Sequence, residues 1–95
     1  MEYNGWTNYE TWLVNLWMDN EPGGKEFIWE WLGERSVGVQ AGRLAQFLEE
    51  TYAEGADDLS LPPFWNDLLR GALSEVNWME TASHIMDEWK EKEND

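Results

Sequence analysis

The stretch Thr7-Asn8-Tyr9-Glu10-Thr11-Trp12-Leu13-Val14-Asn15-Leu16-Trp17-Met18-Asp19-Asn20 reads as one helix from start to stop. Thr7 and Glu10 occupy the two positions of a capping box, in which Thr7 accepts from the Glu10 N–H while the Glu10 side chain reaches back. The helix is expected from Asn8 to Asn20, and Pro22-Gly23-Gly24 stops it. At about 100° per residue, Tyr9, Trp12, Leu13, Leu16 and Trp17 share one face, with Val14 and Met18 opposite. A helix apolar on two sides belongs near the centre of a bundle.

The same periodicity continues outward, and no convincing alternating strand interrupts it. A second helix from about Lys25 to Glu34 carries Phe27, Ile28, Trp31 and Leu32 on one stripe, with Trp29 off it. A third aligns Ala41, Leu44, Ala45, Leu48 and Tyr52 against Arg43, Gln46, Glu50 and Glu54, and Gly55 is its expected C′ residue. Leu61-Pro62-Pro63 opens a fourth, with Ser60 as cap, and Leu61, Trp65, Leu68, Leu69, Ala72 and Val76 form its apolar stripe. Asn77-Trp78-Met79-Glu80 caps a fifth, which buries Trp78, Ala82, Ile85, Met86 and Trp89 before a charged, frayed tail at 90–95. The expected fold is all-α: a compact bundle of about five short helices in a single domain. The echo between Trp6-Thr7-x-x-Glu10-Thr11 and Val76-Asn77-x-x-Glu80-Thr81 reads as the same capping chemistry used twice.

A chain of 95 residues has room for one core, with an expected radius of gyration of roughly 12 Å. Eight Trp and a 42% hydrophobic share exclude a disordered acidic tail. Six Lys and Arg face twenty Asp and Glu, so the formal charge is −14. Direct binding to nucleic acid or to an anionic membrane is excluded on that ground, and a basic partner is the natural complement. The absence of cysteine removes thiolate chemistry and Cys-bound zinc. No apolar stretch approaches the roughly 18 residues of a membrane span, and a cytoplasmic protein is expected.

Catalytic signals are weak. His84, the single histidine, has Glu80, Asp87 and Glu91 at i−4, i+3 and i+7, which superficially resembles a metal site. Those residues lie opposite Ala82, Ile85 and Trp89, so a solvated stripe is the better account, and a hydrolase centred on His84 ranks third among the functions considered. Ser36, Ser60, Ser74 and Ser83 lack a nucleophile-elbow context, Gly38-x-x-x-Gly42 lacks the Lys of a P-loop, and Asp57-Asp58 lacks the alternating ligands of an EF-hand. No enzyme, cofactor or metal is expected.

Binding signals are stronger. Trp29 and Phe47 fall off the main stripes of their helices and Trp6 precedes the first cap, so these three are candidate exposed anchors; filling gaps between helices is the competing role. Acids recur at one-turn spacing as Glu50 with Glu54 and as Glu80 with Asp87 and Glu91. Such rows set carboxylates roughly 5 to 6 Å apart, comparable to the spacing of phosphates along a strand. A row of this kind can compete for a nucleic-acid-binding groove; plain solubility is the competing explanation.

The run Asn4-Gly5-Trp6-Thr7-Asn8-Tyr9-Glu10-Thr11-Trp12, continuing to Leu16-Trp17 and Asn20, resembles a family of small acidic proteins of phages, plasmids and prokaryotic genomes. Val76-Asn77-Trp78-x-Glu80-x-Ala82 is a second, weaker likeness. The resemblance brings no catalytic residue and implies a mobile-element setting, where inhibitors of anti-restriction or anti-CRISPR type occur. The leading expectation is therefore a non-catalytic inhibitor that binds a basic nucleic-acid-handling host complex, acting as a DNA mimic. The alternative is an assembly module that docks through exposed aromatics on another protein or on a second copy of itself.

Overall fold

In a computed structural model the chain forms five helices and no strand among the described residues, which are 3–35 and 39–93. They are α1 (Tyr9–Asn20), α2 (Glu26–Gly33), α3 (Ala41–Asp58), α4 (Pro63–Ser74) and α5 (Trp78–Glu93). The all-α fold is as expected. Ser36 and Gly38 lie outside the described residues, as do Asn94 and Asp95 at the end of the expected tail; α5 itself continues through Glu93.

Three boundaries differ from expectation for identifiable reasons. Asn8, not Thr7, caps α1: Asn8 Oδ1 accepts from the Thr11 N–H at 2.9 Å and from the Thr11 hydroxyl at 2.6 Å. Helix α3 runs through Gly55 to Asp58. The left-handed residue that follows it is Ser60, at φ 51°, so Ser60 closes α3 instead of capping α4. Helix α4 starts at Pro63 without a side-chain cap; a proline is well placed there, since the first turn has no use for its N–H.

Two glycine turns set the angles of entry and exit at α1. Asn4 (φ 52°) and Gly5 (φ 91°) both have left-handed φ, and the Trp6 N–H closes the turn on the Tyr3 carbonyl at 2.9 Å. After α1, Pro22 precedes Gly23 at φ 72° in a type II arrangement closed by Gly24 N–H to Glu21 carbonyl. A Cβ on Gly24 would meet the Met18 carbonyl oxygen at 2.5 Å, so that turn needs two glycines.

The core is built on the packing of α3 against α5. Leu44 and Leu48 of α3, Trp78, Ala82 and Ile85 of α5, Ile28 and Leu32 of α2, Met18 of α1 and Val76 form one buried cluster. Helix α4 has no buried residue and packs on α3 alone among the major helix pairs. The molecule measures 45 × 32 × 25 Å with a radius of gyration of 14.1 Å, above the roughly 12 Å of an evenly compact chain of this length.

Helix α1 is turned unlike the apolar count suggests. Its buried residues are Thr11, Asn15 and Met18, at i, i+4 and i+7, whereas Tyr9, Leu16 and Trp17 face solvent. The apolar face expected of Tyr9, Trp12, Leu13, Leu16 and Trp17 is thus not the buried one, and the cause is a polar joint between the starts of α1 and α5. The Asn77 N–H donates to Thr11 Oγ1 (2.8 Å), and Asn15 Nδ2 donates to Thr81 Oγ1 (2.9 Å) and to the Thr11 carbonyl (2.8 Å). Asn8 Nδ2 donates to the Glu75 carbonyl (2.7 Å). On the other side of the joint, Asn77 Oδ1 accepts from the Glu80 N–H, and Glu80 Oε1 accepts from the Thr7 N–H, both at 3.0 Å. The two similar motifs are therefore two helix caps laid side by side, each bonded to the other's helix.

Candidate interaction surfaces

The eight residues anticipated from sequence fall into three groups. Trp6, Trp29 and Phe47 are packed, not displayed. Trp6 lies edge-on to His84 with ring centroids 5.2 Å apart and is half-buried. Trp29 stacks on Trp89 at 5.8 Å with Lys92 over its ring, and Phe47 stacks on Trp31 at 4.6 Å beside Phe27. Both pack against the buried cluster, so off-stripe positions here are gap fillers between helices. Glu80 is half-buried and committed to the polar joint. Glu50, Glu54, Asp87 and Glu91 are exposed, as a binding row requires. The structure brings them together only in two separate short rows on α3 and α5.

A further acidic row joins them. Glu26, Glu30 and Glu34 stand at i, i+4 and i+8 along α2 and its C-cap, and all three are exposed. Its spacing is plain in the sequence once α2 is drawn as a helix. Among the six basic residues, three sit in ion pairs: Lys25 with Asp19 and Glu88, Arg35 with Glu34, and Arg70 with Asp57. Local pairing thus absorbs much of the small positive complement, and the exposed acid dominates the outward field.

His84 is exposed, with Nε2 3.3 Å from Glu88 Oε1, and Glu88 also accepts from Lys25 Nζ at 2.7 Å. Asp87 and Glu91 point to solvent and Glu80 to Thr7, so the four residues of the imagined metal site do not converge. No group of three or more potential ligands occurs among the described residues. Burial alone would lower the Lys25 pKa, but the hydrogen bonds and charges of Asp19 and Glu88 outweigh it and hold the ammonium above its ordinary value. Burial also pushes the Tyr52 phenol up, with the negative charge of Glu21 adding to it.

The exposed aromatics that do occur are on α1 and α4. On α4, Phe64, Trp65 and Leu68 are 66%, 55% and 57% exposed, and Leu59, just before the helix, is 60% exposed. With Ala72 they make a continuous stripe about 100° wide. The helix rests on α3 through its other side: Leu69 and Leu73 are half-buried, and Arg70 reaches Asp57. Its expected stripe of Leu61, Trp65, Leu68, Leu69, Ala72 and Val76 is therefore divided, with Leu69 and Val76 inward and Trp65, Leu68 and Ala72 outward. Between α2, α3 and α4 an apolar cleft of about 400 Å³ opens, lined by Phe27, Tyr52, Ala56, Leu59, Leu69 and Leu73.

Fold and surface together define a small, acidic, five-helix protein whose distinctive features are a polar joint and uncovered apolar and acidic faces. The chain belongs to a family of unknown function (DUF7249), which matches residues 1–92. No curated protein and no solved structure matches it. No helix among the described residues is long and apolar enough to cross a membrane.

Proposed function

We propose that the chain is a non-catalytic binding protein that occupies the basic groove of a nucleic-acid-handling protein and keeps nucleic acid out of it. The observation that carries this reading is the exposure of acids in turn-spaced rows on three helices: Glu26, Glu30 and Glu34; Glu50 and Glu54; Asp87 and Glu91. Side chains one helical turn apart are roughly 5 to 6 Å apart, inside the Debye length of about 8 Å at physiological salt, so each row acts as a line of charge and resists its own assembly. A partner's Lys and Arg relieve that repulsion on contact. Glu80 is left out of the surface because it holds Thr7. A mobile-element setting, drawn from the likeness of Asn4–Trp12, makes restriction and CRISPR complexes of the host cytoplasm the first partners to try.

The test is competition. A captured partner should release the protein as salt rises, with affinity falling at least about tenfold between 50 and 200 mM, and duplex DNA should displace it. Changing Glu26, Glu30 and Glu34 together to Gln should flatten the salt dependence without unfolding the chain. Binding that ignores both salt and DNA overturns the reading.

A further inference from the structure

The apolar stripe of α4 has no role in a purely electrostatic contact. Helices of small globular proteins bury their apolar stripe and show their polar side; α4 shows Phe64, Trp65 and Leu68 and sets Leu69, Leu73 and Arg70 toward α3. Aromatic side chains present roughly 150 to 250 Å² each, so Phe64 and Trp65 each leave on the order of 100 Å² uncovered. Leu59 and Leu68 bring the stripe to about 400 Å² per chain, on the scale of a functional patch.

Charge selects the occupant. Asp67 and Arg70 balance each other on α4, whereas each of the other four helices is net negative by its own residues. Between Phe64 and Ala72 the stripe itself offers a basic partner no carboxylate, and Glu75 at the C-cap is the one acid in line with it. A second copy of a chain with charge −14 can approach at least cost where the charge is least. The stripe also lies beside an acceptor of its own kind: Leu59, exposed just before α4, lines the apolar cleft, and Trp65 stands one helical turn before Leu69, another residue of its lining. Neighbouring donor and acceptor patches suit an isologous pair, in which each copy's ring enters the other's cleft and the assembly closes at two.

We infer that α4 is a homodimer interface, two copies packing through Phe64, Trp65, Leu68 and Ala72 with an aromatic ring of each seated in the partner's cleft between α3 and α4. The stripes alone cover about 800 Å² in total, below the 1,200 to 2,000 Å² of a standard interface, and filling the clefts brings the sum near its lower bound. An interface of this size sits at the weak, reversible end of the range. Two copies repel through their acidic rows, so added salt tightens it, opposite in sign to the contact with a basic partner.

Sedimentation velocity on the purified chain, from about 10 µM to about 1 mM at low and moderate salt, tests this without any partner. The expected result is a monomer–dimer equilibrium that shifts toward dimer with salt, with dimer lost in Leu68→Glu while the far-UV circular dichroism is unchanged. Ala72→Arg, an exposed site at the end of the stripe, repeats the loss if Leu68→Glu fails to fold. A chain that stays monomeric throughout, a dimer that survives both substitutions, or one that salt dissolves overturns the inference.

Discussion

Replacing Thr11 by Val tests the polar joint, because it keeps the shape of the side chain, raises its hydrophobicity and removes one hydroxyl. Thr11 is fully buried. Its Oγ1 donates to Asn8 Oδ1 at 2.6 Å and accepts from the Asn77 N–H at 2.8 Å. Without the hydroxyl, the Asn77 N–H is left part-buried with no acceptor, at about 1 to 3 kcal/mol, and the bond to Asn8 is lost at about 1 kcal/mol. The loss of stability is therefore about 2 to 4 kcal/mol, or a fall in Tm of roughly 10 to 25 °C for a domain of this size. Thr11→Ser is the control: it keeps every bond and removes one buried methyl, at about 1 kcal/mol. Urea unfolding followed by tryptophan fluorescence and by circular dichroism measures both. Thr11→Ser must come out more stable than Thr11→Val, although it is the smaller and more polar of the two. A Val variant as stable as the parent, or more stable than Ser, refutes the joint as the element that seats α1 on α5.

Two other consequences can be measured on the same material. The folded pKa of Lys25 lies above its unfolded value, so its contribution to stability is whole below about pH 10 and is lost as pH climbs through the folded value. Tyr52 is raised as well, so the fold prefers the protonated phenol and loses stability over the same alkaline range. Neither group bends the curve between about pH 7 and pH 9, and Lys25→Met and Tyr52→Phe each flatten the fall above about pH 10 in urea midpoints against pH. Trp29→Ala, which empties a half-buried stack on Trp89, costs about 2 to 3 kcal/mol, whereas Trp65→Ala on the open side of α4 costs under about 1 kcal/mol in the same titration. Equal costs would show that α4 is seated by its outer face after all.

The five helices were legible because Pro22-Gly23-Gly24, Pro62-Pro63 and Asn77 punctuate runs of period 3.6, and those signals are local. The rotation of α1 was not. Periodicity counts apolar side chains, and by that count Thr11 and Asn15 belong in water while Trp17 belongs inside. Their burial makes sense only when Asn77 and Thr81 are set opposite, 66 residues along the chain. The same blindness affects α4: its stripe was visible, but which part of it meets α3 depends on Leu69, Leu73 and the pairing of Arg70 with Asp57, none of which a helical wheel contains. Of the candidate site, the exposed rows at Glu50 with Glu54 and Asp87 with Glu91 could be read from spacing. Trp6, Trp29 and Phe47 could not be assigned, because an off-stripe ring fits a gap or a partner equally well until the neighbours are known.

A comparison of magnitudes explains why the joint sets the rotation of α1. Turning the helix to bury Leu16 and Trp17, now 37% and 59% exposed, would remove roughly 200 Å² of apolar surface from water and gain at most about 5 kcal/mol. The same turn breaks the bonds of Asn15 to Thr81, of Asn77 to Thr11 and of Asn8 to Glu75, and leaves donors and acceptors of α5 facing an apolar helix. At about 1 to 3 kcal/mol for each group stranded under cover, with several groups affected, the turned state loses more than it gains. Most of the Asn4–Trp12 run is accounted for in this way: Asn4 and Gly5 make the turn, Thr7 and Thr11 bond to the start of α5, Asn8 bonds to Glu75 at the end of α4, and Trp6 lies on His84. Its distinctive residues therefore fix the orientation of one helix pair, and the surfaces left for partners are those the joint turns outward and those, like the outer face of α4 from Phe64 to Ala72, that take no part in it.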